Sequence, residues 1–245
     1  MYNLGLVVPT YNESENIVNL LNLLVDNLNI KTIKTKVLIM DDSSPDGTSD
    51  IVRKYIDCNK FENIDLELKI RNGKQGLASA YTQGFAYLIE NYKPTFVMSI
   101  DADLSHNPKY ILPMYEIINK TNSDLLVGSR YVEGGGVENW GVLRKFISRG
   151  GSLYSKIILN VNINDLTGGF NMYRSSIFEK LDLSKIDARG YLFQIEMKYR
   201  TYKLGFKVNE YPIIFSDRIN GKSKMSKSIM AEALFGVFKL KNKIK

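Results

Sequence analysis

Short apolar runs and amphipathic stretches alternate from Tyr2 to Ile100. Tyr2 to Pro9 reads as a strand carrying Leu4, Leu6, Val7 and Val8, and Pro9 stops it. From Glu13 to Leu28, Ile17, Leu20, Leu21, Leu24 and Leu28 recur on one face, which predicts a helix. Lys36 to Asp42 is a second strand, Val37-Leu38-Ile39-Met40 closed by two acids. Ser43-Ser44-Pro45-Asp46-Gly47 carries turn chemistry, and a helix follows to about Tyr55. Ile64 to Arg71 alternates as a third strand, Gly76 to Tyr92 is helical, and Phe96 to Ile100 is a fourth strand.

Units of about 25–35 residues, each a strand and a helix, predict right-handed crossovers and a mainly parallel sheet flanked by helices, an α/β fold. After Arg130 the rhythm breaks. Glu133-Gly134-Gly135-Gly136 reads as a flexible loop. Leu143 to Leu159 is helical, Gly168 to Tyr173 a strand and Tyr191 to Leu204 a helix. Lys207 to Phe215 is a further strand and Ser226 to Lys243 a terminal helix. With no repeat, low-complexity tract or linker, residues 1–225 are expected to form one domain and 226–245 a basic C-terminal helix.

Composition changes the picture in one respect. The chain has 245 residues, enough to bury a core without a metal or disulfide staple. Its single cysteine, Cys58, excludes an internal disulfide and fits a reducing compartment. The 33 Lys+Arg against 26 Asp+Glu give a net charge of +7. Nearly all of that excess lies after Phe215, on Arg218, Lys222, Lys224, Lys227, Lys239, Lys241, Lys243 and Lys245. The remainder is close to neutral, which argues against a nucleic-acid-binding face. No apolar run reaches a membrane span and no signal peptide is visible, so a cytoplasmic protein, soluble or peripheral on the cytosolic face of a membrane, is expected.

The usual nucleotide fingerprints are absent: the chain has neither G-x-G-x-x-G nor G-x-x-x-x-G-K-[ST]. His106 is the only histidine, which disfavours a Ser-His-Asp triad or a histidine metal site. Asp101-Ala102-Asp103 ends a buried strand, where open α/β sheets place their ligands. Two such carboxylates suit a hard divalent cation, and they also suit a polar loop cap. Asp41-Asp42 ends another strand in the same way, and an acid there also serves a turn or helix cap. With Pro9-Thr10-Tyr11, three polar strand ends would line one cleft.

These segments also carry a resemblance. Val8-Pro9-Thr10-Tyr11-Asn12-Glu13, Asp41-Asp42-Ser43-Ser44-Pro45-Asp46-Gly47-Thr48 and Asp101-Ala102-Asp103-Leu104-Ser105-His106-Asn107-Pro108 resemble the inverting family 2 glycosyltransferases. The later motifs resemble the dolichyl-phosphate mannosyltransferases, or polyprenol monophosphomannose synthases, of the catalytic-subunit type. They are Gly128-Ser129-Arg130-Tyr131, Arg144-Lys145, Ser148-Arg149-Gly150, Asp165-Leu166-Thr167-Gly168-Gly169-Phe170, Gly190 to Met197, and Asp217-Arg218 through Gly221-Lys222-Ser223-Lys224. The similarity runs from about Leu4 to Met225, in one order.

The resemblance implies a GT-A fold, a nucleotide-diphosphate sugar donor such as GDP-mannose, and an isoprenoid lipid phosphate acceptor. It implies that Pro9, Tyr11, Glu13, Met40 and Asp42 line the nucleoside pocket. Asp101 and Asp103, with Ala102 between them, would meet Mg²⁺ or Mn²⁺ and the diphosphate. Where some relatives place a further metal-contacting Gln, this chain has Ser105. Asp103, Arg130 and Arg144 are the expected catalytic groups, the arginines because guanidinium binds phosphate through two hydrogen bonds. Arg218 and Lys224 would close a loop over the diphosphate, or stand on a solvated surface loop. Relatives often carry Glu where this chain has Lys222. Asp165 is expected to be structural or sugar-orienting. Gln194 and Glu196 would either touch sugar hydroxyls or face outward from an exposed helix.

The terminal helix collects Ile229, Met230, Ala233, Leu234, Val237 and Phe238 on an apolar face, followed by lysines. It would lie on an anionic membrane surface or pack on the domain. The resemblance adds a possible small membrane-anchoring subunit as partner. A polyprenyl-phosphate glucosyltransferase using UDP-glucose and a non-catalytic basic binding protein are the competing expectations.

Overall fold

The computed structural model describes residues 1–29, 33–188, 190–217 and 227–244, and side chains throughout these except those of residues 191 and 227–234. The first half follows the predicted alternation: β1 (Leu4–Thr10), α1 (Ile17–Leu28), β2 (Thr35–Asp41), α2 (Thr48–Cys58), β3 (Ile64–Ile70), α3 (Leu77–Tyr92) and β4 (Phe96–Ser99). The sequence reading assigned no element between Ile100 and Arg130. That interval holds α4 (Ile111–Thr121) and β5 (Leu125–Ser129). Then come β6 (Gly136–Val137), α5 (Val142–Leu159), β7 (Asn171–Arg174), α6 (Gly190–Lys203), β8 (Val208–Pro212), β9 (Ile214–Phe215) and α7 (Lys227–Lys243).

The main sheet runs β3-β2-β1-β4-β7-β5-β8. Neighbours are parallel except β7, which is antiparallel to both β4 and β5. β1 pairs with β2 through Val7 opposite Leu38, and with β4 through Leu6 opposite Met98. Alternate side chains serve opposite faces. Leu4, Leu6, Val8, Val37 and Ile39 pack with α1 and α4 on one side. Val7, Leu38 and Met40 pack with Tyr81, Phe85 and Phe193 of α3 and α6 on the other. A sheet buried on both faces explains why these strands read as near-continuous apolar runs. Helix α3 lies so close to β1 that a Cβ at Gly84 would stand 2.6 Å from Val7 Cγ1.

Three predicted elements change. The strand expected over Gly168 to Tyr173 starts only at Asn171, because the Gly168 and Gly169 carbonyls are taken by the side chains of Lys198, Asn171 and Ser99. The strand expected over Lys207 to Phe215 divides into β8 and β9. The Glu133–Gly136 loop is partly ordered, with Gly136–Val137 pairing parallel to β9 as a small second sheet. In α7, Val237 and Leu240 are buried beside α5 and α6, whereas Phe235 and Phe238 are exposed. The apolar face read from sequence therefore splits, Val237 inward and Phe238 outward. Its members Ile229, Met230, Ala233 and Leu234 lie outside the described side chains, as does the Arg218–Lys224 loop. Among the described residues no helix is long and apolar enough to cross a membrane.

Candidate active site

The sheet order brings the ends of β2, β1 and β4 side by side, so the three polar strand ends meet at one edge. Their side chains divide into scaffolding and cleft groups.

Asp41 is scaffolding. It is fully buried and accepts from Thr10 Oγ1 (2.8 Å), Ser44 N (2.9 Å), Ser44 Oγ (2.6 Å) and Ser49 Oγ (2.7 Å). Asp46 ties the turn before α2 by accepting from Thr48 and from Ser14 N, and these hydrogen bonds outweigh burial and lower its pKa. Asp42 accepts from Gln75 N (3.0 Å) and Gly76 N (2.8 Å) and pairs with buried Arg71. It therefore anchors the loop entering α3. Pro9, Tyr11 and Glu13 are half-buried at the rim. Lys74 Nζ stands 4.0 Å over the Tyr11 ring, and Glu13 Oε2 accepts from Asn16 Nδ2 at 2.9 Å. Met40 and Ala102 are buried in the two apolar clusters, so their side chains serve the core beneath the site.

Asp101 lies just past β4, its side chain 28% exposed. Tyr81 Oη donates to its Oδ1 at 2.6 Å. Burial first, and then the Asp101 charge, raise the Tyr81 pKa well above its ordinary value, so the hydroxyl keeps its proton and donates. Asp103 accepts from Ser105 N (3.1 Å) and Ser105 Oγ (2.5 Å) through Oδ1. Ser105, at the position where a metal-contacting side chain was considered, thus orients the neighbouring carboxylate. Between them Leu104 adopts φ +64°, an uncommon conformation for a leucine.

His106 is a brace. Its Nδ1 accepts the Asp101 backbone N–H at 3.0 Å, and its ring stacks on Phe170 with centroids 5.0 Å apart. Burial lowers its pKa, against the raising effect of Asp101 and Asp103, which keeps Nδ1 available as an acceptor.

Just past β5, Arg130 meets Asp165 in a fork. Nε donates to Oδ2 at 2.7 Å and Nη2 to Oδ1 at 2.8 Å, while the Arg130 backbone N–H also reaches Oδ2 at 3.0 Å. Nη2 further donates to Thr167 Oγ1 at 2.9 Å. Burial alone would raise the Asp165 pKa, yet the Arg130 charge and hydrogen bonds bring it down to about 2. Arg144, on α5, donates from Nη1 to Asp217 Oδ1 at 2.7 Å and stacks over Trp140, 3.9 Å from the ring centroid. Arg130 lies against the same ring at 5.8 Å.

Gln194 and Glu196 do not project from an exposed helix. Both are buried. Gln194 Oε1 accepts from Asn171 Nδ2 at 3.0 Å, and Glu196 accepts from Ala188 N and Arg200. The sequence reading missed Tyr81, Trp140 and Lys198. Only contacts with distant segments distinguish them from ordinary helix and loop residues.

Among the described residues the candidate donor set after β4 is the carboxylates of Asp101 and Asp103; the neighbouring His106 Nδ1 is engaged by the Asp101 backbone N–H. Among the described residues no cluster of three metal-ligating side chains forms. That set fits an octahedral, oxygen-seeking ion such as Mg²⁺ or Mn²⁺, which takes one or two carboxylates and completes its shell with water and substrate phosphates.

With this geometry in view, comparison decides the family. The model for glycosyl transferase family 2 matches residues 6–182. The chain belongs to glycosyl transferase family 2. This glycosyltransferase is 39% identical over 231 residues to the undecaprenyl-phosphate mannosyltransferase of Micrococcus luteus, covering 94% of this chain and 90% of that one. It is 38% identical over 232 residues to the polyprenol monophosphomannose synthase of Mycolicibacterium smegmatis, covering 94% and 84%. Its fold is the GT-A fold. A glucosyl-3-phosphoglycerate synthase from Mycobacterium tuberculosis, solved with Mn²⁺, UDP-glucose and phosphoglyceric acid, matches with a TM-score of 0.68 at 12% identity, covering 98% and 80%. A mannosyltransferase from Pyrobaculum calidifontis, solved with GDP-mannose and Mn²⁺, matches with a TM-score of 0.60 at 13% identity, covering 97% and 69%.

Proposed function

We propose that this glycosyltransferase moves mannose from GDP-mannose to a polyprenyl phosphate, with inversion at the anomeric carbon. The state of Asp165 carries this reading. It lies where some family members place a catalytic base, yet here it is bound in a fork by Arg130 and held at about pKa 2. Such a carboxylate is too weak a base to activate a sugar hydroxyl. His106 is buried, with Nδ1 accepting a backbone N–H. An acceptor suited to this site arrives already ionised, and a lipid monophosphate does so at neutral pH. The names of the two relatives support the same acceptor and sugar.

In this reading an acceptor phosphate oxygen attacks the anomeric carbon. The bond from that carbon to the donor's diphosphate oxygen breaks, and the electron pair leaves with GDP. Arg144 and Arg130 lie against Trp140, and each is already paired with a carboxylate, Asp217 and Asp165, so they would meet a phosphate as oriented N–H donors in ion pairs rather than as bare positive charge. Asp101 and Asp103 would hold Mg²⁺ or Mn²⁺, which when bound supplies Lewis-acid stabilisation of the departing diphosphate. Tyr81 and Ser105 hold those two carboxylates in place. Pro9, Tyr11, Glu13 and Asp42 border the nucleoside end, and Arg218 and Lys224 are assigned to the donor by sequence alone.

A lipid acceptor requires access to a membrane surface. Helix α5 exposes Val142, Leu143, Phe146, Leu153 and Ile157, and α7, packed beside it, exposes Phe235 and Phe238. Arg144, Lys145 and Arg149 share α5, while Lys239, Lys241 and Lys243 share α7. This apolar and basic pair of helices suits an anionic bilayer surface and would bring the lipid phosphate to Arg144.

The test is transfer of labelled mannose into the organic phase by purified protein with Mg²⁺, undecaprenyl phosphate and GDP-mannose, with UDP-glucose as the competing donor. Lipid-linked mannose carrying the inverted anomer is expected. Transfer from UDP-glucose alone would replace the sugar assignment, and no transfer from either donor would refute the reading.

A further inference from the structure

Lys198 sits on α6 with no exposed surface, beneath the turn that precedes β7. A wholly buried lysine is rare without a defined task. Its Nζ donates to Leu166 O at 3.1 Å and to Gly168 O at 2.6 Å. Two other core side chains hold the same turn: Asn171 Nδ2 donates to Gly168 O at 3.1 Å, and Ser99 Oγ to Gly169 O at 2.5 Å. Three carbonyls of this short turn therefore face the core. In a trans peptide the N–H points opposite to the carbonyl of the same plane, so the Gly169 N–H is turned away from Lys198. Gly169 borders Asp101: a Cβ there would lie 3.6 Å from Asp101 Oδ2. At the start of the turn, Asp165 accepts Gly168 N at 2.9 Å and grips Arg130.

We propose that Lys198 is a positioning residue: by drawing the Leu166 and Gly168 carbonyls inward it fixes the turn that aims Asp165 at Arg130, and so sets the phosphate-binding geometry. This rests on the reading of Arg130 as part of the acceptor-phosphate site. The charged groups acting on the ammonium are Asp165 before β7, Glu210 on β8 and Arg130 after β5. Half-buried Glu210 in turn accepts Asp165 N at 3.0 Å, which ties the start of the turn to β8. No touch on substrate is needed. Lys198 acts through the turn.

Lys198→Met keeps an unbranched side chain as far as Cε and removes Nζ with both hydrogen bonds. The KM for undecaprenyl phosphate is expected to rise about tenfold, with the calorimetric Kd for GDP unchanged. A purely structural loss would lower the active fraction and leave that KM unchanged, which would overturn the proposal. Should Lys198→Met fail to fold, Ser99→Ala removes another restraint on the turn and is expected to raise the same KM by about threefold. An unchanged KM in Ser99→Ala would then overturn it. Wild-type protein that transfers no sugar refutes the functional reading instead. Active wild type with indifferent variants refutes only the role of Lys198.

Discussion

Arg130 and Asp165 form a two-pronged ion pair, Nε to Oδ2 at 2.7 Å and Nη2 to Oδ1 at 2.8 Å, with both side chains almost wholly buried. Removing one partner leaves the other as an uncompensated buried charge. Asp165→Ala is therefore expected to destabilise the fold by about 3–5 kcal/mol, read by urea unfolding. The pair also sets an acid dependence. The folded pKa of Asp165 is about 2, below its ordinary value of 3.8. Its stabilising contribution is complete above about pH 3.8 and is lost as pH falls through about 2. Asp165→Asn should flatten the unfolding free energy over that window, and an unaltered acid limb would count against the pair.

The Tyr81 hydroxyl reaches Asp101 Oδ1 from the core side. Groups that orient metal ligands typically govern affinity without touching the ion. Tyr81→Phe should weaken Mn²⁺ binding about tenfold in the presence of GDP, measured by calorimetry, and leave the fold intact. Asp103→Ala removes a proposed ligand itself, and metal-dependent transfer should fall about a hundredfold or more. Full activity in Asp103→Ala would remove Asp103 from the metal site.

Burial depresses the Lys198 pKa from 10.5 to about 7, partly opposed by Asp165. Between about pH 7 and 10.5 the unfolded chain binds the proton that the folded one has released. The Lys198 contribution to stability therefore rises with pH across that window and is lost as pH falls through about 7. Urea unfolding of Lys198→Met should show a smaller increase over the same range than wild type. Parallel profiles would show that the buried amine does not titrate there.

Phe146 on α5 is 78% exposed and Phe235 on α7 is 80% exposed, an unusual cost unless another apolar phase covers them. Phe146→Ser and Phe235→Ser should each weaken sedimentation with phosphatidylglycerol vesicles by about tenfold or more. Thermal stability should hardly move, because neither ring packs in the core. Equal vesicle binding by wild type and a double variant would exclude this face as the lipid contact.

The local pattern of the chain determined the alternating strands and helices of the first half. Apolar strand runs and amphipathic helices are properties of near neighbours, and so are the acidic and turn-forming strand ends. Asp101 and Asp103 could be proposed from sequence because their carboxylates lie two residues apart at a strand end. Tertiary structure decided the rest. The antiparallel insertion of β7 between β4 and β5 joins segments far apart in sequence, and no local period records it. The Asp165–Arg130 fork spans 35 residues, and it converts an acid that sequence left open into a fixed anchor. Lys198 lies among the charged residues of α6, where nothing nearby marks it as buried. Only the covering of α6 by the sheet and its neighbours removes that ammonium from water and turns it toward the Leu166 and Gly168 carbonyls. Backbone propensity and apolar period act over a few residues, whereas desolvation and charge pairing depend on what the folded chain brings alongside.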